Sequence, residues 1–131
     1  MKQLSENLWE FHPQIYPQYL WIAVDPTKEE YSQFIHTYDD KELEVEFKSA
    51  RATVYHVRFK DNPDTGSLII FKDKDELDFN TVAHEAVHVV GNTFYICGLK
   101  HDCNNDESFA YLAGWVAECC EKVKKEYDNR S

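Results

Sequence analysis

Residues 51–72 constrain the fold more than any other stretch of this chain. Thr53-Val54-Tyr55-His56-Val57-Arg58-Phe59 is a run of β-branched and aromatic residues, and Ser67-Leu68-Ile69-Ile70-Phe71 is a second. Such side chains fit a pleated, packed surface. Between them stands Asn62-Pro63-Asp64-Thr65-Gly66, a cluster of turn formers. The spacing predicts a β-hairpin with a loop of about five to seven residues. The pattern then changes. Asp73, Asp75, Glu76 and Asp78 gather just ahead of a segment in which Val82, Ala83, Ala86, Val87 and Val90 follow a helical period. Acidic side chains suit the positive end of a helix, and Asp78 or Asn80 can cap it. The predicted helix runs from about 79 to 92 and ends at Gly91-Asn92, or at Gly98 if it continues through Tyr95.

The remaining elements are read in the same way. Tyr19-Leu20-Trp21-Ile22-Ala23-Val24 is a short apolar run that stops at Asp25-Pro26 and reads as a buried strand. Thr27 with Glu30 three residues later has the form of a capping box. Tyr31, Phe34, Ile35 and Tyr38 predict an amphipathic helix over 28–38. Residues 39–46 alternate acids with Leu43 and Val45, which suits an exposed strand or an extended connection. After residue 104, Asn105 or Asp106 caps a second long helix whose apolar stripe is Phe109, Leu112, Val116, Cys120 and Val123. Ala110, Ala113, Gly114 and Ala117 are small enough to let that helix approach a neighbour. The class is α+β.

Composition bounds what this fold can be. The chain has 131 residues, which corresponds to one domain, 1–131. Hydrophobic residues make up 43% and aromatics 15%, enough for a core. The net charge of −10 repels phosphate backbones and argues against nucleic acid as a partner. No apolar run approaches the roughly 18–20 residues of a membrane span, and the first residues do not lead into a secretory leader. The expected location is the cytoplasm, where Cys97, Cys103, Cys119 and Cys120 are free thiols.

The predicted helix at 79–92 carries His84-Glu85-Ala86-Val87-His88, an H-E-x-x-H motif. Two histidines four apart project from one helix face, close enough to share a metal ion. Glu85 points about 100° away around the helix, so it can reach a metal-bound water without being a ligand. Two imidazoles leave a catalytic zinc one protein ligand short. The best candidate is Glu107 at the start of the second helix, with Tyr111 one turn further on. Alone, Glu107 is simply a first-turn carboxylate favoured by the helix dipole. Cys97, His101 and Cys103 form C-x3-H-x-C, which is not the spacing of a zinc ribbon or finger. His12, His36 and His56 stand alone and suit packing or surface roles.

Residues 89–106 place 18 residues between His88 and Glu107. H-E-x-x-H followed by 18 residues and a glutamate resembles the gluzincin group of zinc metallopeptidases. Thr81-Val82-Ala83-His84-Glu85-Ala86-Val87-His88 with Glu107-Ser108-Phe109-Ala110 is also similar to the small bacterial and phage zincins related to the ImmA/IrrE peptidases. The likeness covers roughly residues 67–120. It implies a minimal zincin-like domain: a small twisted sheet packed on the motif helix and a glutamate-bearing C-terminal helix. It implies one Zn2+ per chain on His84, His88 and Glu107, Glu85 as general base in peptide-bond hydrolysis, and an extended peptide or protein as substrate. In such enzymes the strand before the motif helix is an edge strand to which substrate pairs, here Ser67–Phe71 with Leu68, Ile69 and Ile70 at its centre. Tyr111, Tyr95 and His101 are the candidates for a donor to the oxyanion. Two features depart from the family: the chain has no helix-turn-helix segment and no room for a separate substrate domain. A non-catalytic, zinc-bound interaction or regulatory module is the alternative function.

Overall fold

The computed structural model describes residues 1–47 and 49–130. Its elements are β1 (Lys2–Ser5), β2 (Leu8–Phe11), β3 (Tyr19–Val24), α1 (Lys28–Ser32), β4 (Ile35–Thr37), β5 (Ala52–Phe59), β6 (Thr65–Phe71), α2 (Phe79–Ile96) and α3 (Glu107–Asn129). The strands form a six-stranded sheet in the order β1-β2-β3-β6-β5-β4. Neighbours are antiparallel except β3 and β6, which run parallel with Trp21 beside Leu68 and Ile22 beside Ile69. The fold is α+β.

Both faces of the sheet are buried. Trp9, Leu20, Ile22, Val24, Ile69 and Phe71 lie on one side, packed with Ala86 and Val89 of α2 and Val116, Cys120 and Val123 of α3. The alternate residues Leu8, Trp21, Ala23, Leu68, Ile70 and Val57 pack on the other side with Tyr31 of α1, Ile35 and Leu43. Period-two alternation thus feeds two cores at once. At Gly66 a Cβ would lie 2.1 Å from the Tyr19 carbonyl oxygen, so glycine is what lets β6 approach β3 there.

The hairpin at β5–β6 and both long helices stand as expected. Asp78 caps α2, its carboxylate accepting the Thr81 backbone N–H at 2.8 Å. The helix passes Gly91 and ends at Gly98, whose φ of +71° suits glycine. The Leu99 N–H reaches back to the Phe94 carbonyl at 2.8 Å and the Gly98 N–H to that of Tyr95 at 3.3 Å, closing a Schellman end.

Two expectations are corrected. The helix predicted over 28–38 stops at Ser32, and Ile35–Thr37 is strand β4, paired with Val57–Phe59. Ile35 is fully buried in that position, and the gain from packing against the sheet outweighs a marginal second helical turn. The second correction concerns Leu68, Ile69 and Ile70. Strand β6 is not an edge; it is hydrogen-bonded by β3 on one side and β5 on the other. All three residues are fully buried, and no backbone group along them is free to pair with a peptide.

Among the described residues no helix is long and apolar enough to cross a membrane. The chain ends are tied together: the Tyr127 hydroxyl donates to the Asn7 side-chain oxygen at 2.6 Å, and the Glu30 carboxylate accepts the Asn7 backbone N–H at 2.8 Å.

Candidate metal centre

Helix α2 lies on β5 and β6 and against α3. Its buried positions are Thr81, Glu85, Ala86, Val89, Val90, Thr93 and Phe94. The opposite face carries His84, Val87, His88, Gly91 and Tyr95, all exposed. The amphipathic pattern that docks the helix therefore turns both histidines to solvent.

The two imidazoles converge. Their Nε2 atoms stand 3.2 Å apart, and the rings meet edge to face with centroids separated by 5.0 Å. Two nitrogens bound to one tetrahedral zinc, each at 2.0–2.1 Å, are about 3.3 Å apart. The separation also suits an Nε2–H of one ring donating to the other ring. In either case the pair is preformed, and a cation need not draw the side chains together.

Glu85 differs sharply from its neighbours. Its side chain is 8% exposed, whereas that of His84 is 67% exposed, and its carboxylate lies 3.9 Å from the His84 Nε2. Burial raises the Glu85 carboxyl above its ordinary value, and the imidazoles of His84 and His88 oppose that shift. A half-dry carboxylate beside two nitrogen donors is suited to taking and returning a proton.

Glu107 occupies the first position of α3 and is exposed. Among the described residues no group of three or more His, Cys, Asp or Glu side chains is gathered closely enough to hold a metal. The structure thus joins His84 to His88 and does not bring Glu107 to them. Residues 98–108, which lead into α3, are all exposed.

The candidate oxyanion donors fall in different places. Tyr95 shares the exposed face of α2 with the histidines, 83% exposed; Tyr111 on α3 is 75% exposed, which rules out a core role. The His101 ring stacks on Phe109 with centroids 4.0 Å apart. Cys97 is half-buried and Cys103 exposed, and they form no metal cluster with His101 among the described residues. Burial drives the Cys120 thiol up in pKa, so Cys120 serves as core.

Two features stand apart from the motif. His56 stacks on Tyr38 with centroids 4.3 Å apart, and its Nε2 is buried without a hydrogen-bond partner among the described residues. Burial lowers its pKa and so favours the neutral ring. Phe79, at the first turn of α2, is almost wholly exposed beside an open groove. A phenylalanine off the apolar stripe at a helix start was the available signal.

The chain matches no family model, and no curated protein or solved structure shows a match to it.

Proposed function

We propose that this chain is a zinc-dependent metallopeptidase, with one Zn2+ held by His84, His88 and Glu107 and with Glu85 as general base. The observation that carries this reading is the pair of exposed imidazoles converging to 3.2 Å beside a buried carboxylate. Zinc, when bound, supplies a Lewis acid that polarises the substrate carbonyl and makes water a nucleophile near neutral pH. Glu85 accepts a proton from the attacking water and donates it to the departing amine. Burial raises the proton affinity of Glu85, which suits that second transfer. Tyr111, exposed on α3 one turn after Glu107, is the proposed hydrogen-bond donor to the oxyanion. The substrate is a peptide lying across the solvent face of α2; it does not add to β6.

One observation favours a second reading, a zinc-bound interaction module without catalysis: Glu107 is not gathered with the histidines among the described residues. Two measurements separate the readings. Metal analysis is expected to find one zinc per chain, lost in His84→Ala and in Glu107→Ala. A protein without metal under zinc-replete conditions would sink both readings. Glu85→Gln is expected to keep its zinc and to cleave a peptide library about 10²–10⁴-fold more slowly than wild type. Zinc retained by both proteins with no cleavage by either favours the module.

A further inference from the structure

A tetrahedral zinc takes four ligands, and α2 offers two of them. His84 and His88 are exposed, and their Nε2 atoms already stand 3.2 Å apart. Among the described residues no third His, Cys, Asp or Glu is gathered with them. A second copy of the chain holds the missing set. Its own His84 and His88 have the same geometry, and a two-fold axis through the metal brings the two pairs together as four imidazoles. Little side-chain freedom is lost on binding, because the rings of each pair have already converged.

The surface around the pair fits a covered site. Charged residues are 29% of the chain, yet α2 has a single one, Glu85, and that one is buried. The exposed stripe of Asn80, His84, Val87, His88, Gly91 and Tyr95 therefore carries no carboxylate, ammonium or guanidinium that a second chain would have to strip of water. The exposed side of α3, by contrast, bears Glu118, Glu121, Lys122, Lys124 and Lys125. Copies of net charge −10 repel one another over most of their surface, and the uncharged face of α2 is where two can approach. Gly91 adds no side chain to that face.

We propose that, when zinc is scarcer than protein, two copies of the chain share one zinc through His84 and His88 of each, and that this pairing covers the site. The inference rests on the two histidines being zinc ligands, as in the proposed function, and needs neither Glu107 nor catalysis. Once each chain has a zinc of its own, Glu107 takes the place of the second copy and the chains part. The pair is then a latent form, because a peptide and a second chain need the same face of α2.

Sedimentation equilibrium of the full chain, with zinc chloride titrated into metal-free protein at neutral pH, tests it. Metal-free protein is expected at the mass of one chain, protein with half an equivalent of zinc at that of two, and protein with excess zinc at that of one again. Gly91→Arg leaves every ligand in place, and a Cβ at that position meets nothing within 4 Å in its own chain. It is expected to bind zinc and to stay at one chain, since two guanidinium groups then meet across the axis. His88→Ala should lose both zinc and pairing. Zinc bound at half an equivalent with no rise in mass, or a Gly91→Arg protein that pairs as wild type does, overturns the proposal and leaves the peptidase reading standing. Failure to bind zinc at all overturns both. A dimer that persists in excess metal with half a zinc per chain supports the shared site and overturns the single-chain site with Glu107.

Discussion

At one end of the α2–α3 pair Phe94 meets Phe109 edge to face with centroids 5.5 Å apart, and Val90, Leu112 and Tyr16 close around them. At the other end the same two helices part around the 730 Å³ groove, and Phe79 stands in water. The difference follows from side-chain size and position. Three aromatic rings and two aliphatic side chains fill the closed end, whereas Ala83, Gly114 and Ala117 cannot span the gap at the open one. His84 and His88 sit between the two ends. Their support therefore comes from the sheet and the closed end.

The largest expected effect lies at the closed end. Phe94→Ala should cost about 3–5 kcal/mol in denaturant unfolding, because a nearly buried ring leaves a cavity among residues that cannot collapse into it. A loss below about 1 kcal/mol would show that this end is not the anchor. Next comes Glu85, which is buried midway. A carboxyl whose folded pKa lies above its unfolded value is penalised once pH exceeds the unfolded pKa, and the penalty is complete above the folded one. Metal-free Glu85→Gln should thus melt higher than wild type at neutral pH and equal to it below the ordinary carboxyl range. A lower melting temperature at neutral pH would refute the burial argument.

Smaller effects belong to the open end. The Thr81 backbone N–H holds the Asp78 carboxyl below its ordinary value. This cap stabilises above the unfolded pKa and is lost as pH falls through the folded one. Asp78→Ala should lower the melting temperature modestly at neutral pH, with the difference from wild type vanishing in strong acid. Smallest of all, Phe79→Ala should change stability by no more than about 0.5 kcal/mol. A larger loss would mean that the ring packs within its own chain and would erase the contrast between the ends.

The elements legible in the sequence are those fixed by local chemistry. The β5–β6 hairpin announces itself in Asn62-Pro63-Asp64 and its flanking β-branched residues. Asp78, Gly98 and the Leu112-Val116-Val123 stripe mark the helices. Strands β1 and β2 are not legible, because Lys2–Ser5 and Leu8–Phe11 are four residues each and find their order only against a distant β3. Strand β4 is hidden because Phe34, Ile35 and Tyr38 fit a helical period as well as a strand. At the site, the histidine pair is legible because a helix fixes i and i+4. The place of Glu107 relative to that pair is not, because it depends on the path of the intervening loop. The edge-strand expectation came from the family resemblance alone. The residues themselves point elsewhere: Leu68-Ile69-Ile70-Phe71 is apolar on both faces, the mark of a strand buried inside a sheet.

The parallel seam between β3 and β6 has a kinetic consequence. The β1-β2-β3 strands and the β4-β5-β6 strands each pair antiparallel with their sequence neighbours, whereas the seam joins residues 19–24 to residues 66–71. Closing it immobilises a long loop before most of the shared core is formed. The two meanders are therefore expected to assemble early and the seam to set the rate at which they unite. Gly66, where a Cβ would meet the Tyr19 carbonyl, is then a control point for folding speed as much as for the finished sheet.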